Sequence, residues 1–155
     1  VGENLELGKN GDLCWRIKED LKRFKNLTTN HKVVMGYNTY KSLRFTPLPN
    51  RENIVITKEP LSVEQSLGIT QILEKDFEKQ MEEWRNSPEE IFVIGGAKIY
   101  RKSLPYSYKI YLTKIHKKDP GADVFFPKES EWGSLYSYKV ELETPDFSYI
   151  TYTRL

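Results

Sequence analysis

The chain has 155 residues, 38% hydrophobic and 30% charged, which suits one soluble domain with a single sizeable core. Its 24 basic residues are dispersed among 22 acidic ones for a net charge of +2, which argues against a nucleic-acid-binding face. Cys14 is the only cysteine, so no internal disulfide forms, and His31 and His116 lack the spacing of metal ligands. No apolar run approaches the roughly 18 residues of a membrane span.

In chain order, "VGENLELGKNGDLCW" reads as loop, with Asn10-Gly11 as a turn signal. Cys14, within it, reads as a small packing residue, since no His or Asn can be assigned to it as a partner. "KEDLKRFKNLT" predicts a helix with Leu21, Phe24 and Leu27 on one stripe and Glu19-Asp20 in the first turn, where acids favour the helix dipole. "KVVMG" predicts a buried strand ending at Gly36, and "NTYKSL" a helix with Asn38 or Thr39 as N-cap. "PLPNREN" is turn-rich and "IVIT" a β-branched strand; "GITQIL" offers another strand. "DFEKQMEEWRN" is amphipathic, with Phe77, Met81 and Trp84 on one face. A strand over 91–94 meets Gly95-Gly96 and a helix from 97, and "YKIYLTKI" alternates as a strand. The final "LYSYKVELETPDFSYITYTRL" is an antiparallel hairpin around Thr144-Pro145-Asp146. Strands alternating with helices predict an α/β single domain over 1–155. Its mixed, mostly parallel central sheet is flanked by helices and ends in a C-terminal antiparallel hairpin.

Two corners, at Gly36 and at Gly95-Gly96, share a strand–glycine–helix pattern. Either alone can be a tight turn. Together, with Thr39 after one and Lys98 after the other, they favour a ligand with more than one phosphate, because helix N-termini present unpaired N–H groups. Neither corner has the G-x-G-x-x-G or Gly-Lys-Ser/Thr spacing, so neither an ordinary dinucleotide fingerprint nor an NTPase loop is indicated. Lys58 and Lys98 are candidate point charges for a peripheral phosphate, or two exposed lysines. Asp20 is either a first-turn acid meeting the dipole or a carboxylate at the edge of an apolar stripe, suited to a cationic N–H pair. Trp15 fits a core anchor as well as a pocket wall.

The ordered stretches "GKNGDLCWRIKEDLKRFKNLT", "VVMGYNTYKSL", "PLPNRENIVIT", "VIGGAKIY", "IYLTKI" and "GADVFFP" resemble the signature segments of dihydrofolate reductases, over nearly the whole chain. The resemblance implies NADPH-dependent reduction of 7,8-dihydrofolate to tetrahydrofolate, by hydride transfer to C6 with protonation at N5, in support of one-carbon metabolism. It makes Asp20 the acid that holds the pterin, Trp15 its water-linked neighbour and Thr113 its support from a strand. Leu21, Phe24, Leu43, Leu48 and Ile94 become the apolar walls of the substrate site, and Arg51 the clamp on the substrate carboxylate. The cofactor falls to Leu7, Gly8, Leu13, Gly36, Asn38, Thr39, Ala97, Ile99 and Tyr100 and to a cis diglycine at Gly95-Gly96. Thr57, Lys58 and Lys98 fall where the adenosine 2′-phosphate is read.

No metal is implied. Partners are dihydrofolate and antifolate inhibitors, and the expected state is a cytoplasmic monomer. Asp123 resembles an acid that tethers the loop over 8–15, which admits the water that protonates N5. The acid and the diglycine are expected to face a common cleft.

Several positions depart from the family pattern. Cys14 stands for a proline before the tryptophan, Tyr37 for a basic residue at the adenosine end, and Ala97 and Asn50 for glycines. The family's first strand is expected to lie largely upstream of Val1. A non-catalytic nucleotide-binding protein on the same scaffold and a pterin or pyrimidine reductase are the alternatives; Asp20 together with Arg51 favours folate.

Overall fold

A computed structural model describes residues 1–44 and 46–155, which gather into two compact units, Val1–Asp20 with Ser107–Leu155, and Leu21–Tyr106. The opening stretch, read from the sequence as loop, is a short hairpin: β1 (Glu6–Lys9) turns at Asn10-Gly11 into β2 (Asp12–Leu13). The strands escaped notice because each is short and β2 is exposed on every residue. Helix α1 (Lys18–Thr28) has the predicted bounds. Its expected apolar stripe is only partly covered: Leu21 is 44% exposed, Phe24 and Leu27 are half-buried, and the buried residue is Thr28.

Next come β3 (Lys32–Gly36), α2 (Tyr37–Ser42), β4 (Glu52–Thr57), β5 (Thr70–Leu73), α3 (Glu74–Arg85), β6 (Ile91–Gly95) and α4 (Ala97–Ser103). The remainder is β7 (Lys109–Ile115), β8 (Val124–Phe125), α5 (Glu129–Trp132), β9 (Tyr136–Glu143) and β10 (Phe147–Arg154). The predicted N-cap of α2 is corrected. Gly36 is the cap, neither Asn38 nor Thr39 makes a capping bond, and both lie inside the first turn. Strand β3 runs to Gly36 and leaves no residue between strand and helix.

In the Leu21–Tyr106 unit the sheet is wholly parallel, in the order β5-β4-β3-β6. Its central strands are buried on both faces, which is why "KVVMG" and "NIVIT" are continuous apolar runs rather than alternating ones. Val34, Ile54 and Ile56 point to one side, onto Phe77 and Met81 of α3 and Ile99 of α4. Val33, Met35 and Val55 point to the other, against Tyr40, Leu43, Leu48 and Ile94. Phe77, essentially fully buried, anchors α3; its truncation to Ala would cost about 3–5 kcal/mol.

In the other unit β7, β10 and β9 form an antiparallel sheet, with the predicted hairpin between the last two. Thr144 closes that turn: its N–H and its hydroxyl both donate to Phe147 O, and the hydroxyl accepts from Asp146 N. A second antiparallel sheet, β2-β1-β8, carries the opening hairpin. Trp132 packs edge-on against Phe126, Tyr136 and Tyr152 and donates its indole N–H to Pro127 O. The chain thus has the mixed α/β class read from the sequence, with parallel strands and C-terminal antiparallel ones. No helix among the described residues is long and apolar enough to cross a membrane.

Candidate functional site

Asp20 lies in the first turn of α1, half-buried. Thr113, on β7, donates its hydroxyl to Asp20 Oδ1 over 2.5 Å. A helix dipole alone would not call for a partner 93 residues away, and the bond fixes one carboxylate oxygen. Trp15 packs with Ile17 on the cluster of Ile115, Phe147 and Tyr149, so it is an anchor of its unit.

The two glycine corners lie at the carboxyl ends of neighbouring parallel strands, with Met35 in register with Gly95. They also meet each other. A Cβ built on Gly96 would sit 3.2 Å from Thr39 Oγ1, and one on Gly36 would sit 3.2 Å from Ile99 Cγ1. Gly95 has φ of 123°, a region closed to ordinary L side chains, and its bond to Gly96 is cis. The first intrahelical bond of α4 runs from Tyr100 N to Gly96 O, so the N–H groups of Ala97, Lys98 and Ile99 precede it. Two adjacent helix starts floored by backbone suit phosphate oxygens and a flat ring. Within this cradle Ile99 belongs to the core by its side chain and can contribute only backbone.

Arg51 stands over the Phe24 ring, with 5.9 Å from guanidinium carbon to ring centre. It donates Nε to Pro49 O and Nη1 to Thr28 Oγ1, whose hydroxyl in turn donates to Phe24 O. Burial lowers the Arg51 pKa from its ordinary value. Asn53, 1% exposed, accepts from Leu48 N and donates to Leu48 O and Arg51 O. One amide thereby sets both Leu48 and Arg51. Leu43, Leu48 and Ile94 pack around the same Val33–Met35–Val55 cluster.

The residues expected at the peripheral phosphate differ among themselves. Lys58 is exposed just beyond β4. Lys98 is paired instead with Glu74 at 2.6 Å, and Lys102 meets the same carboxylate at 2.7 Å. Lys102 and Lys98 hold the Glu74 carboxyl down at about 2. Thr57 is buried at the end of β4, and its hydroxyl donates to Glu59 O and accepts from Gln71 Nε2. Tyr37, which replaces a basic residue, has Lys41 Nζ 4.7 Å over its ring, so a cation returns one helical turn later.

In the opening hairpin Leu7 O accepts from Cys14 N, Gly8 faces Leu13 across the ladder, and Leu13 is 49% exposed. Asp123 ties this segment twice: its Oδ2 accepts from Asn10 N at 3.0 Å, and its N–H donates to Gly8 O. Sequence reasoning missed Asn53, Thr28, Glu74 and the buried Glu6. A polar residue inside an apolar strand ("NIVIT") or between leucines ("LEL") is the signal that would have found two of them.

Comparisons with known proteins match this arrangement throughout the chain. The family model for dihydrofolate reductase matches residues 1–154. A dihydrofolate reductase from Bacillus subtilis is 38% identical over 97% of this chain and 89% of that protein. One from Buchnera aphidicola is 35% identical over 90% of this chain and 84% of its own length. Among solved structures, dihydrofolate reductase from Enterococcus faecalis complexed with NADP(H) and RAB-propyl has a TM-score of 0.79 at 28% identity. That alignment covers 99% of this chain and 91% of the other. The fold is that of an α/β oxidoreductase with a diglycine corner. The chain belongs to the dihydrofolate reductase family.

Proposed function

We propose that residues 1–155 act as one reductase domain whose substrate contacts are made by Asp20, Thr113, Trp15, Leu21, Phe24, Leu43, Leu48, Arg51 and Ile94. The chain catalyses NADPH-dependent reduction of 7,8-dihydrofolate to 5,6,7,8-tetrahydrofolate. The observation that carries the site reading is the bond from Thr113 to Asp20, which holds the carboxylate in a fixed orientation suited to an N–H pair. A bidentate contact to the pterin ring N–H and amino group orients the ring and raises electron density toward N5, which eases its protonation. Arg51, levelled by Thr28 and Pro49 O, offers its remaining guanidinium N–H groups to the carboxylate of the substrate's tail.

The cradle of Gly36, Asn38, Thr39, Gly95, Gly96, Ala97, Lys98, Ile99 and Tyr100 fits a pyridine dinucleotide, because any Cβ on Gly96 would fill it. NADPH, when bound, supplies the hydride that C6 receives. Family resemblance assigns Leu7, Gly8 and Leu13 to the cofactor as well, and Lys58 with Lys98 to its adenosine 2′-phosphate. The domain acts as a monomer in the cytoplasm, where a lone thiol stays reduced.

The experiment is direct: mix the protein with NADPH and dihydrofolate and follow loss of the nicotinamide absorbance. Turnover with dihydrofolate, and none with a ribosylated aminopyrimidine, is expected. Cofactor binding without turnover of dihydrofolate would instead identify a nucleotide-binding protein on the same scaffold.

A further inference from the structure

Among the described residues, Glu6 is the one buried acid that the proposed reaction does not use. It sits at the start of β1, 2% exposed, where alternation would put an apolar residue. Its carboxylate oxygens are divided. Oε1 accepts from Asn4 N at 2.6 Å and Oε2 from Asp119 N at 2.6 Å, across 113 residues of sequence. Only an ionised carboxylate offers two acceptors and no donor to such a pair of backbone N–H groups. Burial acts to raise the Glu6 pKa, but the N–H groups of Asp119, Glu6 and Asn4 outweigh it and hold the pKa below its ordinary value.

Three further observations place this acid at a junction. The turn before it contains Leu5 at φ of 64°, a left-handed conformation that a leucine keeps only where its surroundings fix it. Leu5 N bonds Gly2 O, and Phe126 N bonds Leu5 O, so the strained turn is gripped from both ends. Asp119, held at its N–H by Glu6, uses its own carboxylate on Gly121 N and on Lys9, and burial together with its negative charge raises the pKa of Cys14. The contacts Glu6–Asp119–Lys9 thus run from the root of the opening hairpin to the last residue before its turn.

We propose that Glu6 is a positioning residue: it locks the segment bearing Leu7, Gly8 and Leu13 to the 117–121 loop, a second anchor beside Asp123, and so sets cofactor affinity. This rests on the proposed assignment of that segment to cofactor binding.

Glu6→Gln tests it. The amide keeps the volume but turns an N–H₂ donor onto one of the two backbone N–H groups. The expected result, at a temperature where the variant is folded by circular dichroism, is a NADPH KM raised about tenfold with the dihydrofolate KM within about twofold. A variant that loses melting temperature yet keeps both constants would make Glu6 a structural residue only and overturn the proposal. Should Glu6→Gln not fold, amide exchange on the wild-type chain decides: saturating NADPH should slow exchange at Asn4 and Asp119 about tenfold or more, and unchanged exchange there overturns it. The two readings fail separately. A wild-type chain that binds no NADPH sinks the reductase assignment and this role with it. A wild-type chain that turns over normally, with a kinetically silent Glu6→Gln, sinks only the role of Glu6.

Discussion

The two glycine corners and the opening hairpin are built on opposite plans. At the corners the surface is backbone, and the residues that shape it are those with the least side chain: Gly36, Gly95 and Gly96. In the hairpin the same task of shaping a short segment falls to side chains that reach far along the sequence, Glu6 to Asp119 and Asp123 to Asn10. A site made by omission leaves its mark locally, as a glycine where none is cheap. One made by long-range carboxylates leaves only a charge in an odd place.

Mutations sharpen that contrast, and the largest effect is expected at neither region but at the acid. Asp20→Asn should lower turnover about a hundredfold or more near neutral pH while the fold persists, measured by initial rates at saturating substrate. An undiminished rate would remove Asp20 from the chemistry. At the corner, Gly95→Ala forces a side chain into φ of 123° and should cost about 1–3 kcal/mol of stability by urea titration. Gly96→Ala lacks that conformational penalty, since φ there is −85°, and should chiefly weaken NADPH binding through its clash with Thr39. Equal loss of stability from both would mean that the corner is structural throughout.

Asn53→Ala probes the side-chain plan within the parallel unit. It removes three bonds from a buried amide and should cost about 1–3 kcal/mol, raising the dihydrofolate KM more than that for NADPH. Smallest is Glu74→Gln. It frees Lys98 and should lower the NADPH KM a few-fold without a matching change for NADH. The same substitution should alter acid unfolding. The Glu74 carboxyl is held at about 2, below its unfolded value, so its contribution is present above about 4.5 and fades as pH falls toward 2. Glu74→Gln should flatten the stability profile in that window.

Much of the fold was legible because its signals are local. The bounds of α1, the β-branched strand at 54–57 and the turn at Thr144–Asp146 each follow from a few adjacent residues. The acid, the arginine and the glycines of the candidate site were legible through family resemblance, and the geometry adds their partners. Glu6, Thr28, Asn53 and Glu74 stayed hidden because their roles depend on groups that the chain brings near only on folding. Lys98 shows the reverse: its charge was visible in the sequence, its neutralising carboxylate was not. Thr57 was placed at the right strand end, but the hydroxyl's internal bonds could not be foreseen from composition.

The solitary thiol has a practical consequence. Cys14 is half-buried, and burial together with the negative charge of Asp119 raises its pKa. Alkylation by a maleimide should therefore be slow at neutral pH and should proceed mainly when the hairpin opens. The labelling rate becomes a clock for that opening, readable without engineering a background, and a single dye at that position would report how often the hairpin springs loose.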